Sequence, residues 1–414
     1  MKTLKNLLGS KIIYRQFCYQ AKITIMNRNL ETPIREALKE KMVFIGGPRQ
    51  VGKTILSKLI GEKFSKFEYF NWDTIKKKKE FLEGKWSSDS DLIILDEFHK
   101  YSRWKTWIKG EYDLHNDHFN FLITGSTRMN VYRKGGDSLQ GRYHYYRLHP
   151  LSVAEVENLN LGESLEIGSE LTFPSADYSE TAKSLLKFGG FPEPFLKQSV
   201  RHHRIWKLER IERFFREDIR ELTLIQDISN MQILSEILPE RAGGVLSLNS
   251  LREDLQVSHR AVDNWMKILE EFYYCFRIYP FQSQKYRALK KEPKLYLWDW
   301  SQVEDQGARL ENMVASHLLK FCNYLWDQEG YTCELNYLRD QEKREVDFLV
   351  TLNKKPWFAV EVKQGAKDLN KNLLYFGDRL SIPFLYQISL NTTEDYLTKK
   401  VRVMPVHKFL SGLW

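Results

Sequence analysis

Cysteine is scarce in this chain: 414 residues hold four, Cys18, Cys275, Cys322 and Cys333. None are paired at zinc-ligand spacing, and four thiols make no dense disulfide framework. They read as free thiols in a reducing compartment, which gives a cytoplasmic expectation. Long apolar runs are absent too, so no segment reads as a membrane-spanning helix and no membrane partner is expected. No internal repeat or low-complexity tract is visible. Residues 1–26 lack any acidic residue and carry Lys2, Lys5, Lys11, Arg15 and Lys22. That pattern fits an organelle presequence, but equally an extension outside the fold, or a start codon placed upstream of the true start at Met26. An extension or a misplaced start is the reading adopted over a presequence.

What is present suits a large globular protein. The length suggests two to three domains, and 42% hydrophobic residues supply ordinary packed cores. Lys and Arg outnumber Asp and Glu by 63 to 54, a formal net charge of +9. A basic surface fits a polyanion such as DNA; it also serves solubility alone, and charge does not separate the two.

Short apolar runs alternate with helical patterns through the first half, which predicts an α/β fold around a parallel sheet. Expected strands are Met42–Ile45, Phe67–Phe70, Leu92–Leu95, Phe119–Thr124 and His144–Leu148. They define a core over residues 27–175. Residues 176–240 read as a helical, lid-like segment and 241–289 as a small helical unit. Residues 290–414 read as a second α/β domain, with a helix Arg309–Phe321 and strands Leu335–Arg339, Arg344–Val350, Trp357–Lys363 and Phe384–Ile388.

The segment Gly47, Pro48, Arg49, Gln50, Val51, Gly52, Lys53, Thr54 matches GxxxxGK[ST] without a gap, between an apolar strand and a helix. Its glycines let the backbone curl so that N–H groups face phosphates. The helix N-terminus adds its dipole, Lys53 reaches the β- and γ-phosphates, and the Thr54 hydroxyl ligates magnesium. ATP and Mg²⁺ are therefore the expected ligands. The run Leu92–Leu95 ends in Asp96 and Glu97. Asp96 is expected to hold the magnesium through its water shell, and Glu97 to orient or deprotonate the attacking water. Ser126 or Thr124, ending the strand expected between these two, would face the γ-phosphate; a plain strand-ending turn is the alternative. Arg142 is expected to bring a cation to the γ-phosphate of its own or a neighbouring subunit in a homo-oligomer, or else to be a surface arginine. The run Lys100–Lys109, with Trp104 and Trp107, reads as a packed amphipathic helix in preference to a DNA-contacting one.

Three strings, GGPRQVGKT, LIILDEFHKY and TGSTRMNVYRKGGDSLQGRYHYYRLHPLS, together resemble a prokaryotic AAA-type ATPase family. Its members carry a C-terminal domain of unknown function similar to the PD-(D/E)xK nucleases. The resemblance covers nearly everything after Met26. It implies the roles given above for Lys53, Thr54, Asp96 and Glu97, and for Arg142 it implies the position only.

In the middle unit, Ser250 and Glu253 read as a capping box for one short helix, and Ser258 as the cap of a second. Leu251, Leu255, Val257, Val262, Trp265 and Leu269 would form the core of a unit resembling a winged helix. Its second helix would present His259, Arg260, Asn264 and Lys267 outward, residue types that suit DNA contacts, although Asp263 on the same face opposes them.

Near the C-terminus, Asp347 and the pair Glu361 and Lys363 fall on two strands joined by a turn at Asn353–Pro356. Strand alternation puts Glu361 and Lys363 on one face. Buried charges of this kind need a partner or a cation. Asp347 and Glu361, with Glu311 from the preceding helix, are candidate ligands for a divalent metal, and Lys363 a candidate catalytic residue for phosphodiester hydrolysis. The arrangement resembles the PD-(D/E)xK core, with Val346 where that family has proline. A salt-bridge cluster in a non-cleaving domain is the alternative. Two functions follow: an ATPase coupled to a metal-dependent DNA nuclease, or an ATP-dependent switch or scaffold with a nuclease-like binding domain.

Overall fold

The computed structural model describes residues 27–76, 78–126, 139–159, 166–219, 227–282, 292–365 and 368–413. The expectations for residues 1–26 lie outside them, as do residues 127–138 of the long string quoted above and 220–226 of the lid-like segment.

Helix α1 (Glu31–Leu38) precedes strand β1 (Met42–Gly46), and α2 (Lys53–Gly61) follows it. Then come β2 (Phe67–Asn71), β3 (Leu92–Asp96), α3 (Trp104–His115), β4 (Asn120–Gly125) and β5 (Tyr143–Arg147). Strands β1–β5 form a wholly parallel sheet in the order β2-β3-β4-β1-β5. Successive residues of one strand serve opposite faces. Val43 and Ile45 join Ile34, Leu56 and Ile60 in one core, while Met42 and Phe44 join Phe98, Trp104 and Ile108 in the other. Both faces are covered, so the central strands are apolar throughout. Every expected strand of this sheet is present to within a residue or so at each end. Trp104 is buried, and Trp107 donates to the Leu82 carbonyl at 2.9 Å, so this run packs as an amphipathic helix.

Helix α4 (Val200–Arg213) runs directly into a π-helical turn, Phe214–Ile219. After α5 (Ile228–Ile237) come α6 (Leu248–Leu255) and α7 (His259–Glu271), whose inner sides carry Leu251, Val262, Trp265 and Leu269 into one core. Ser258 caps α7 as expected, accepting from the Ala261 amide. The cap of α6 is Ser247, which accepts from the Ser250 amide; the capping box assigned to Ser250 and Glu253 is corrected by one turn. His259, Arg260, Asn264 and Lys267 are exposed, and Lys267 is paired with Asp263 at 2.6 Å.

Strands β6 (Cys275–Pro280) and β7 (Lys294–Leu297) pair antiparallel. They edge a second, mixed sheet with β8 (Cys333–Arg339), β9 (Glu345–Leu352), β10 (Lys355–Lys363), β11 (Phe384–Ser389), β12 (Tyr396–Thr398) and β13 (Val401–Pro405). Its order is β12-β13-β11-β10-β9-β8-β6-β7. The boundary expected at residues 289–290 thus runs between two paired strands.

Helix α8 (Gln306–Asp327) lies between the sheets and is tied to the first by buried polar groups. Arg147, which ends β5, donates to Asp327 at 2.7 and 2.9 Å. Lys320 and Arg28 both pair with the buried Glu155, and Asn323 meets His149 at 2.9 Å. Removing one partner from such a network strands a buried charge, so the two halves of the chain are bound through α8. Among the described residues, no helix is long and apolar enough to cross a membrane.

Candidate functional site

All five parallel strands point their C-terminal ends the same way, and the phosphate loop leaves β1 at that edge. Register sets Gly46 beside Gly125 and Asn71 beside Asp96, so the loop, the acidic strand and the end of β4 open on one crevice, where open α/β sheets bind ligands. Gly52, which caps α2, has a φ of 105°, a left-handed conformation that side chains resist. A Cβ on Gly47 would collide with the Leu148 carbonyl. Lys53 is buried, and its ammonium donates to the carbonyls of Gly47 and Pro48, each at 2.9 Å. Burial pulls its pKa down, against Glu97 and Asp96, which favour the charged form.

Asp96 is fully buried and its carboxylate is saturated with donors. Oδ2 accepts from Thr54 at 2.8 Å, Tyr69 at 2.5 Å and Asn71 at 3.0 Å, and Oδ1 accepts from Thr124. Burial alone would raise its pKa; these four donors outweigh it and hold the group ionised. The donor set suits magnesium, because the Thr54 hydroxyl and the Asp96 carboxylate are hard oxygens already in contact.

Glu97 has a φ of 54°, a backbone conformation that a non-glycine residue adopts at a cost. Burial and the neighbouring Asp96 raise its pKa, and Lys53 opposes them. Ser126 lies 3.5 Å from its Oε2 and 3.3 Å from His99 Nε2. His99 is buried and held neutral, its pKa pushed down to about 3 by burial and by Lys53 and Lys100. Of the two polar residues expected at the end of β4, Thr124 is thus engaged with Asp96, and Ser126 faces Glu97.

Arg142 does not stand at this crevice. Tyr143, the next residue, pairs with Met42 at the opposite end of β1, four residues and ~13 Å of strand from Gly46. Its guanidinium is paired with Asp113 at 2.6 Å. Action on the phosphates of its own chain is therefore excluded: a residue preceding a parallel strand lies at the edge away from the loop that follows one.

At the C-terminal site, Val360 pairs with Phe348, and one step along the hairpin Glu361 faces Asp347. Burial and the Asp347 charge push Glu361 up to about 7 and Glu311 likewise to about 7. The residue that organises the site is Lys294 on β7. Its buried ammonium lies 3.1 Å from Glu311, 2.8 Å from Glu345 and 3.5 Å from Asp347. Burial disfavours its charge, but these three carboxylates together lift its pKa above the usual value. Further oxygens of the site are also engaged. Asp347 Oδ2 accepts from the Val362 amide at 2.9 Å, and Glu361 Oε1 accepts from Lys363 at 2.5 Å and from Asn370. Only Glu361 Oε2 is buried without a partner among the side-chain atoms of these acids. Asp347 is thus the charged neighbour of both Glu361 and Glu311, but the place where Asp347 and Glu311 approach each other is taken by the Lys294 ammonium, which a divalent ion shared by those two acids would have to displace. Among the described residues, no group of three or more His, Cys, Asp or Glu is arranged to hold a metal.

Tyr69, Asn71 and His99 escaped the sequence reading, as did Lys294, Glu345 and Asn370. The first two sit on a strand with no motif of its own, though its alternate polar residues beside the acidic strand carried a signal. Lys294 opens an apolar strand and reads as an edge lysine.

Residues 39–157 match the family model described as an AAA domain. Residues 179–303 and 306–409 match two domains of unknown function, DUF8612 and DUF4143. The chain therefore carries an AAA-type domain around the phosphate loop. An uncharacterized protein of Methanocaldococcus jannaschii is 24% identical over 371 residues, covering 84% of this chain and 79% of that protein. One from Mycobacterium tuberculosis is 23% identical, covering 82% of this chain and 74% of the relative. Among solved structures, a Walker-type ATPase of Pyrococcus abyssi aligns with a TM-score of 0.41 at 13% identity, covering 69% of this chain and 96% of that one. RuvB of Thermotoga maritima aligns at 0.32 and 17%, covering 60% and 88%.

Proposed function

We propose that the chain is an ATP-binding and ATP-hydrolysing switch, in which the nucleotide state of the AAA-type domain is passed through α8 to a C-terminal domain that binds and does not cleave. The observation that carries the ATPase reading is the contact between Thr54 and Asp96 at the mouth of the phosphate loop, with Lys53 and Glu97 beside it. Residues 47–54 would cradle the phosphates. Thr54 and Asp96 would hold Mg²⁺, which when bound neutralises phosphate charge. Lys53 would exchange its two loop carbonyls for phosphate oxygens. Glu97, with Ser126 as hydrogen-bond donor, would take the proton of the attacking water.

The switch is preferred to a coupled nuclease because Lys294 already pairs with Glu311, Glu345 and Asp347, where a cation would otherwise sit. One observation favours the nuclease as a second reading: Asp347, Glu361 and Lys363 share one hairpin, and Glu361 keeps a buried unpartnered oxygen. That reading requires Lys294 to withdraw.

Phosphate release under saturating ATP tests the first reading. Glu97→Gln keeps the shape of the site but not its base. It should retain nucleotide binding and lose roughly two orders of magnitude in turnover. Unchanged turnover in the variant puts the base elsewhere.

A further inference from the structure

The π-helical turn Phe214–Ile219 has two faces with different attachments. Phe214, Phe215 and Ile219 are buried in the core formed with Met231, Leu234 and Trp265. Asp218 and Glu217 reach the other way, to the phosphate loop. Asp218 is buried and pairs with Arg49 Nη1 at 3.0 Å; Glu217, half exposed, pairs with Arg49 Nη2. Arg49 has no other ion-pair partner among the described residues. Asp218 also feels the charges of Lys53 and Glu97, so its carboxylate faces the crevice in which those two groups stand. Burial pushes its pKa up to about 6, against the pull of Arg49. A π-turn inside a helix is uncommon and is found disproportionately at functional sites.

We propose that Asp218 and Glu217 are positioning residues that hold Arg49 off the phosphate site, and that nucleotide binding trades their carboxylates for phosphate oxygens and frees the turn 214–219. The proposal rests on the ATP reading of the same loop. A guanidinium binds carboxylates and phosphates through the same planar fork, so the two compete for Arg49. A triphosphate in the crevice also repels two carboxylates at its mouth. Because the other face of the turn is embedded in the 228–303 unit, its release moves the packing of that unit. A closed state that must open before binding lowers apparent affinity by the fraction of open molecules.

Titration of a fluorescent, non-hydrolysable ATP analogue into the full chain tests this, using wild type, Asp218→Asn, Arg49→Met and the double variant. Asp218→Asn should bind about 3- to 10-fold more tightly, by removal of the closed-state cost, and this gain should vanish in the Arg49→Met background. A merely structural Asp218 would not give a gain that depends on Arg49. Equal or weaker binding by Asp218→Asn, or a gain that survives without Arg49, overturns the proposal. Glu217→Gln, at a more exposed position, should shift affinity in the same direction. Hydrogen exchange supplies a second readout. Amides of residues 214–219 should exchange faster in wild type when the analogue is added, and faster in Asp218→Asn without it. No difference in either comparison overturns the proposal. If wild type binds no analogue at all, the ATP reading fails. The nucleotide-free comparison of wild type with Asp218→Asn then still decides whether Asp218 holds the turn.

Discussion

Thr54 donates a 2.8 Å hydrogen bond to Oδ2 of Asp96, across 42 residues of sequence. The hydroxyl that follows the loop lysine and the acid that ends β3 are thereby set at one point of the crevice. Asp96→Asn keeps the shape and removes the charge. We expect nucleotide affinity in this variant to be the same in Mg²⁺ and in EDTA, whereas wild type should lose affinity when the metal is chelated. A variant that retains the full magnesium dependence would show that Asp96 is not part of the metal site.

Lys294 carries the second prediction. Lys294→Met leaves Glu311, Glu345 and Asp347 without their buried counter-charge, so the variant should lose roughly 3 kcal/mol of stability in denaturant unfolding. It should also gain one Mn²⁺ in electron paramagnetic resonance titrations, a gain lost again in the Lys294→Met, Asp347→Asn double variant. Wild type should show no Mn²⁺ bound at this site. Stoichiometric Mn²⁺ there in wild type, removed by Asp347→Asn, would restore the nuclease reading.

A third prediction follows from Glu361, whose pKa is raised from 4.5 to about 7 by burial and by Asp347. A folded-state pKa above the unfolded value gives stability that is complete below pH 4.5 and lost as the pH climbs through about 7. Glu361→Gln removes that loss. It should be more stable than wild type at pH 8 by on the order of 1–3 kcal/mol, with the advantage gone near pH 4. Urea midpoints across this range check it; an advantage that grows toward acid pH would reverse the sign.

The first sheet was legible because its strands are short apolar runs bounded by turn residues, and because the phosphate loop fixes which strand is central. Its topology confirmed Asn120–Gly125 between the loop strand and the acidic strand. The position of Arg142 was also legible, since a residue just before a parallel strand must stand at the edge away from the phosphate loop. The cap of α6 was ambiguous by one turn because serines at 247 and 250 both suit the role. Lys294 and Asp218 were beyond reach for another reason. Each acts through partners far along the chain: Arg49 lies 169 residues before Asp218. Pairing at such separation leaves no local pattern in composition or spacing. The strands β12 and β13 were missed because residues 396–405 mix charges and apolar residues over runs too short to show a period.

The most direct test of the central claim is one titration, a fluorescent ATP analogue followed by anisotropy in wild type and in Lys53→Ala, with Mg²⁺ present. The buried ammonium at the loop is the main counter-charge a triphosphate would meet there. The account predicts saturable, stoichiometric binding to wild type and loss of tight binding in Lys53→Ala, with both proteins equally folded by circular dichroism. Equal affinity in the two proteins would contradict it.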